Sequence, residues 1–558
     1  MLSQAEEISG LYRQEIAKAS PPDPFPLPIP ALTLSSVWFS LHLDPLSTLN
    51  FLQQDDIWKL LKEIGIDGVR IQTVHQEGQI KLLPKWAKPW AQVLKRSQNQ
   101  GIALAGDLIR HATVAGSDFQ EALQNVGDYP NLYHLIEIDP ADWSLLPSGN
   151  RETNIPWLSL QTLHKRGYVP KNFAPYIKES DWNATGEVAG KDGKIRRWIY
   201  LKEGTNNPVL AWLSPSFAAY RLACGDALHL CKELGMQILH LDGQIPEMAQ
   251  EMLALWIRKI GGYSAVTTNG TLNAIKNSSA DLVYDAVTTP ALLHALIAED
   301  AEALRLMYRL IMGNKIDAKR MVHALAPFDP YACDWVEFIH APKKKFPYYE
   351  EQITGELLKA RLLKEDVLRL GSRDPFVPTT WVDHCARALN IKDFEKHHNE
   401  ITNAHLLLAF TYAMQPGAFS ISLEDLLGTL QGQNLYGDLQ SQLKNSKSFA
   451  SKLKSILQAR SESNIATGEL IDVMQSPHPG TLLLLYRLPN TRFLYLLAIN
   501  FARNETRETI ERADLSQKSA IDLMSKLSEE KVFSSASFSF ILPPLSGRAF
   551  YFQPKYYD

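Results

Sequence analysis

Ile102-Ala103-Leu104-Ala105-Gly106-Asp107 is an apolar run closed by a carboxylate, and its reading decides the fold. Such a run predicts a parallel strand buried on both faces whose C-terminal tip carries an acid. Ile238-Leu239-His240-Leu241 before Asp242 repeats the pattern. So does Met321-Val322-His323-Ala324-Leu325, which reaches Asp329 through an Ala-Pro-Phe step. Barrels of alternating strands and helices build their active sites at these tips, and three acids at three tips fit a site at a barrel mouth. The matching fourth tip carries no acid.

Working outward, Ser36–Leu41 reads as the first strand, Asp56–Glu63 as a helix, Gly68–Val74 as the second strand and Ala91–Gln100 as the helix before the third. The alternation stops between about 112 and 210, where the text is loop-rich and aromatic and the turn Gly190-Lys191-Asp192-Gly193 predicts a hairpin. Helix Ser216–Leu234 resumes it. Strands are then expected at Gln237–Asp242, Tyr263–Thr268, Leu282–Val287, Met321–Phe328 and Ala418–Ser422. Eight strands alternating with helices argue for a closed (β/α)8 TIM barrel of the α/β class.

The domain reading follows. Residues 1–35 form a helix and a proline-rich lead-in, 36–111 and 211–430 the barrel, and 112–210 an excursion over the barrel mouth. Residues 431–475 form a helical connector and 476–558 a C-terminal antiparallel β-sandwich of short apolar strands such as Leu482–Arg487 and Phe493–Ile499.

Composition excludes other classes. A chain of 558 residues with 45% hydrophobic residues buries a large core, and a net charge of −4 leaves no basic field for nucleic acid or anionic membranes. No apolar stretch approaches the ~20 residues a membrane-spanning helix needs, and the N-terminus has no secretory pattern. Four cysteines, Cys224, Cys231, Cys333 and Cys385, are scattered. Cys224 and Cys231 lie too far apart along one helix to bridge, so all four read as core thiols of a cytoplasmic protein.

Several segments carry a resemblance. Gly106-Asp107-Leu108-Ile109-Arg110-His111, Asp128-Tyr129-Pro130-Asn131-Leu132-Tyr133-His134, Arg196-Arg197-Trp198-Ile199-Tyr200, Trp212-Leu213-Ser214-Pro215-Ser216-Phe217, Gly225-Asp226-Ala227-Leu228-His229 and Gln415-Pro416-Gly417-Ala418-Phe419 resemble, in order, the trehalose synthase-like (maltose α-D-glucosyltransferase-like) members of the α-amylase superfamily. The resemblance implies roles residue by residue. Asp242 stands at the nucleophile position, with His240 where the family has an arginine. Thr267 stands where the family has its general acid glutamate, and Asp329 at the transition-state-stabilising position, with Phe328 replacing a histidine. Asp107 is the third-strand aspartate, and His111 is displaced by one from the family's histidine. No cofactor and no metal are implied. Tyr129, Tyr133, Trp143, Phe328 and Tyr331 read either as stacking faces for sugar rings or as core and lid packing.

These departures have a chemical cost. A retaining glycosidase needs two carboxyl groups ~5–5.5 Å apart, one to attack and one to protonate the leaving oxygen. Threonine at 267 cannot donate that proton, and losing a positioned acid forfeits about 10²–10⁴-fold in rate. A histidine at 240 holds a neighbouring carboxylate less well than the fork of an arginine does. The leading expectation is a protein that binds an α-linked glucose disaccharide or oligosaccharide with impaired catalysis. Two rivals stand beside it. One is a slow α-glucosyl transferase or hydrolase with a substitute acid such as Glu137 or Asp118. The other is a non-catalytic barrel serving as scaffold for a protein partner.

Overall fold

The computed structural model describes residues 1–18, 37–41, 45–71, 80–108, 113–148, 153–169, 182–203, 207–241, 245–267, 272–285, 287–325, 346–364, 377, 379–489, 493–515, 518–525, 528–531 and 536–554. Eight strands form the central sheet: β1 (Val37–Leu41), β2 (Gly68–Ile71), β3 (Ala103–Asp107), β4 (Ile238–Leu241), β5 (Tyr263–Val266), β6 (Leu282–Tyr284), β7 (Met321–Ala324) and β8 (Ala418–Ser422). They follow one another round a closed barrel in the order β1-β8-β7-β6-β5-β4-β3-β2. Neighbours pair in parallel, with Trp38 opposite Gly68, Gly68 opposite Ala103, and Val37 opposite Phe419 closing the ring. Every residue of β2, β4, β6, β7 and β8 is buried, as near-continuous apolar strands between helices and a filled interior require.

The chain gathers into two compact units. The first comprises residues 1–26, 73–91 and 107–263. In it the N-terminal helix Leu2–Lys18 lies against helix Ala218–Leu228, and the Met1 ammonium sits 2.8 Å from the buried carboxylate of Asp118. The excursion contributes an antiparallel sheet in the order Leu135–Ile138, Ile195–Glu203, Trp182–Ala184, Thr153–Asn154. Val188–Ala189 turns back onto Ile195–Arg196 through Gly190–Gly193, the hairpin the turn residues predict. Ile138, Leu163, Trp182 and Ile199 form the core of this sheet.

The second unit comprises residues 27–72, 92–106 and 264–558. Its helix Asp55–Ile64 shows how the sequence writes a barrel helix. Ile57, Trp58, Leu61 and Ile64 bury one face, Asp55 and Asp56 lie in the first turn, and Gly65 ends the helix in the left-handed region. The C-terminal sheet runs Glu469–Met474, Thr481–Arg487, Leu494–Asn500, Ser546–Pro554, Lys518–Asp522, Ser528–Lys531. A two-stranded sheet, Thr506–Glu511 with Ser537–Leu542, packs on it through Phe538 and Phe540 against Phe550 and Phe552. Thr506–Glu511 alternates buried and exposed residues along its length, as a strand with one covered face must.

Three expected boundaries are corrected. The strand expected over Leu282–Val287 stops at Tyr284, because the Asp285 carboxylate accepts the backbone N–H of Val287 and of Thr288 and turns the chain into helix Thr289–Ala298. The helix expected over Ser216–Leu234 begins at Ala218, where Phe217 holds a left-handed backbone (φ 54°), and passes through a π-turn at His229–Glu233. The helical stretch expected over Leu439–Ala459 is two helices, Leu439–Lys444 and Phe449–Ser463, capped by Asp438 and Ser448.

Candidate functional site

β3 is built from small residues up to Asp107, whose side chain is 2% exposed. On β4 the buried His240 presents Nδ1 3.8 Å from Asp107 Oδ1. That separation exceeds a hydrogen bond, so the attraction is electrostatic and operates when the imidazole is protonated. The backbone ties the same two strand ends together, with Leu108 N–H donating to His240 C=O at 2.9 Å. The structure therefore brings together Asp107 and His240, two of the residues expected to line a site.

Thr267 directly follows β5 in the second unit and is 3% exposed. A buried hydroxyl there has no ionisation near neutral pH and offers a neutral hydrogen bond where a carboxylic acid would offer a proton. Asp242, His111, Phe328 and Asp329 lie outside the described residues.

The substitute acids and the aromatic residues of the excursion are committed elsewhere. Asp118 accepts from the Met1 ammonium and from Leu2 N–H, and its side chain is 4% exposed, so it anchors the N-terminal helix and is no spare acid. Glu137 lies on an excursion strand 3.2 Å from the Arg196 guanidinium, which Asp192 also holds. Tyr133 is buried edge-on against Phe119, and the Trp143 indole N–H donates to Ile138 C=O while its ring packs in the excursion core. Tyr133 is a core residue, and Trp143 is a partly buried one packed against the core. His384, of a residue type that often ligates metal, is buried with Nε2 facing Val377 C=O, and burial pushes its imidazole down to about 4. Among the described residues no cluster of three or more His, Cys, Asp or Glu is placed to hold a metal ion.

Two buried pairs carry more chemistry than sequence reasoning assigns them. Arg70 on β2 donates from Nη1 to Tyr284 Oη on β6 at 3.0 Å, with its guanidinium carbon 5.4 Å from the ring centroid. β2 and β6 stand four places apart in the ring, so this pair spans the barrel interior. One strand further, Asp285 Oδ2 lies 2.9 Å from His323 Nδ1, and His323 Nε2 lies 3.1 Å from Pro416 C=O. Both ring nitrogens face oxygen atoms, so the ring is held on both sides. Burial pushes the Asp285 carboxyl up, but hydrogen bonds from His323 and Thr288 outweigh it and hold it below its ordinary value. The only sequence signal for this pair is a polar residue inside each of two apolar runs.

The barrel, the excursion after its third strand and the antiparallel C-terminal sheets together define the α-amylase type of (β/α)8 fold. Solved structures carry the same architecture. The α-amylase of Geobacillus thermoleovorans, complexed with acarbose, superposes with a TM-score of 0.55 at 11% identity, covering 93% of this chain and 99% of that one. The α-amylase of H. orenii gives 0.57 at 9% identity, over 93% and 99%. The trehalose-6-phosphate hydrolase of Bacillus licheniformis gives 0.55 at 13%, again over 93% and 99%. At these identities the likeness is one of fold. No protein-family model matches the sequence, and no curated protein matches it as a relative. No described helix is long and apolar enough to cross a membrane.

Proposed function

We propose that this protein is a cytoplasmic α-glucoside-binding barrel, akin to the trehalose synthase-like enzymes, whose glycosidase and transglycosylase chemistry is impaired or lost. The observation that supports it is the buried threonine at 267, in a fold whose solved examples include an acarbose-bound amylase and a trehalose-6-phosphate hydrolase. Without an acid, an alkoxide must leave unprotonated, and the barrier rises by the share a positioned acid supplies. Asp242 remains in the sequence at the nucleophile position and Asp329 at the stabilising one, with Phe328 offering a stacking face to a bound ring. His240, two residues before Asp242 in the chain, joins Asp107 in a buried polar pair at the ends of β3 and β4. Asp118 and Glu137 are each paired with a cation, which counts against the rival reading of a slow enzyme with a substitute acid.

Calorimetric titration of maltose and of trehalose, into the wild type and into Asp242→Ala, tests the reading alongside fluoride release from α-glucosyl fluoride. Saturable binding that the substitution abolishes, with slow fluoride release or none, is the expected result. Absence of both binding and release would retire the carbohydrate reading in favour of a scaffold.

A further inference from the structure

Helix Glu247–Lys259 buries Ala249, Leu253, Ala254 and Ile257 on one side, the pattern of an ordinary barrel helix. Its other side is anomalous. Met248, Met252 and Leu255 are 64%, 37% and 50% exposed. At about 100° per residue these three fall within an arc of roughly 60°, a continuous apolar stripe along a helix ~20 Å long. The neighbouring helix Ala218–Leu228 adds to it, since the Tyr220 hydroxyl reaches Met252 C=O at 3.4 Å. Just before that helix, Leu213 and Phe217 are 64% and 51% exposed. Phe217 is held in the left-handed region (φ 54°, ψ 28°), a conformation costly to a bulky residue. All of these residues belong to the first compact unit.

Charge along the stripe selects the occupant. Glu247 and Glu251 flank its N-terminal half and Lys259 ends it, all exposed. Set antiparallel on itself about Met252, the helix brings each Met248 opposite the other copy's Trp256 and next to its Leu255, and each Glu247 opposite Ile257, about 3 Å of helical rise from the other copy's Lys259. The helix dipoles then also run opposed, first turn to last turn. A parallel arrangement would place like charges together. The stripe thus meets a second copy of itself with apolar residues against apolar residues and opposite charges near each end, as a two-fold interface requires.

We propose that two copies of this chain associate through Glu247–Lys259, with Met252 near the two-fold axis and Leu213 and Phe217 widening the contact. A stripe ~20 Å long on a helix ~10 Å wide offers on the order of 200 Å², below the ~800 Å² per partner of standard interfaces, so the dimer is reversible and depends on protein concentration.

Sedimentation velocity of the full chain over a concentration series tests it. The wild type shifts from monomer to dimer as concentration rises. Met252→Glu, at an exposed site that leaves the fold intact by circular dichroism, weakens association about thirtyfold or more. Glu247→Lys and Lys259→Glu each weaken it singly, and the double exchange restores it. A wild type that stays monomeric at ~100 μM, well above the dissociation constants of specific interfaces, overturns the proposal, as does a Met252→Glu variant that dimerises like the wild type. A double exchange that restores nothing overturns the antiparallel pairing.

Discussion

In the function proposed above, one side chain, Thr267, divides binding from chemistry. Threonine keeps the tip of β5 polar and neutral, so under that proposal a sugar oxygen would meet a hydrogen bond where a proton is needed. Thr267→Glu is expected to raise maltose cleavage by about 10²-fold over any residual rate. The same change should leave fluoride release from α-glucosyl fluoride nearly unaltered, since fluoride departs without protonation. Steady-state rates on the two substrates check this, and equal acceleration of both would mean that the new carboxylate acts on something other than the leaving group. The buried Asp285–His323 pair makes a different prediction. Asp285→Ala leaves buried His323 Nδ1 and the N–H groups of Val287 and Thr288 without their acceptor and should cost about 3 kcal/mol or more in urea unfolding. Asp107 stands out in the sequence as a carboxylate closing an apolar run and His240 only through the resemblance, while their proximity at the ends of β3 and β4 comes from the structure. Asp285 and His323 were not legible as a pair, because their partnership joins residues 38 apart on neighbouring strands and exists only once the strands are in register. The aromatics of the excursion read equally well as stacking surfaces or as core, and only packing separates the two.

Elements were legible where a hydrophobic period runs uninterrupted, and misjudged where a side chain bonds to its own backbone. The strand expected to reach Val287 is cut short by Asp285, and the helix expected from Ser216 waits for Phe217 to reverse the chain. Neither event has a periodicity. Gly417, at the entrance to β8, has a similar local logic. It sits at φ +89°, and a Cβ there would come within 2.2 Å of Met321 C=O and 2.7 Å of Ala318 C=O. Backbone atoms cannot swing aside as a side chain can, so Gly417→Ala is expected to cost ~3 kcal/mol or more and to lower the yield of folded protein. Gly65→Ala is the gentler control, since it meets only Leu457, at 3.2 Å from its Cβ. Comparing the two urea midpoints checks the ranking.

For the molecule as a whole, buried titratable groups pull stability in opposite directions with pH. Burial pushes the imidazoles of His134 and His384 down to about 4 and that of His405 down to about 3, from an ordinary 6.5. Each contributes stability that is present above pH 6.5 and lost as pH falls from there. Burial pushes the Asp425 carboxyl up to about 7, although Ser422 and the Trp381 N–H bond to it. Its contribution is complete below its ordinary 3.8 and is lost as pH rises towards 7. Below pH 6.5 the histidines outnumber the aspartate, and above it the aspartate acts alone. The urea midpoint should therefore peak near pH 6.5, and Asp425→Asn should abolish the decline between 6.5 and 7 while leaving the acid limb in place. The barrel itself was legible from its eight apolar runs, yet what fastens its last strand lies far along the chain. Arg460, from helix Phe449–Ser463, donates to the carbonyls of Ala413, Gln415 and Gly417, which link helix His398–Ala413 to β8. A fragment trimmed after residue 430, where composition suggests the barrel ends, would discard that latch. The ring would then lack the fastening at its final seam, and such a fragment should bind hydrophobic dye and yield to protease, whereas one extended through residue 468 should resist both better.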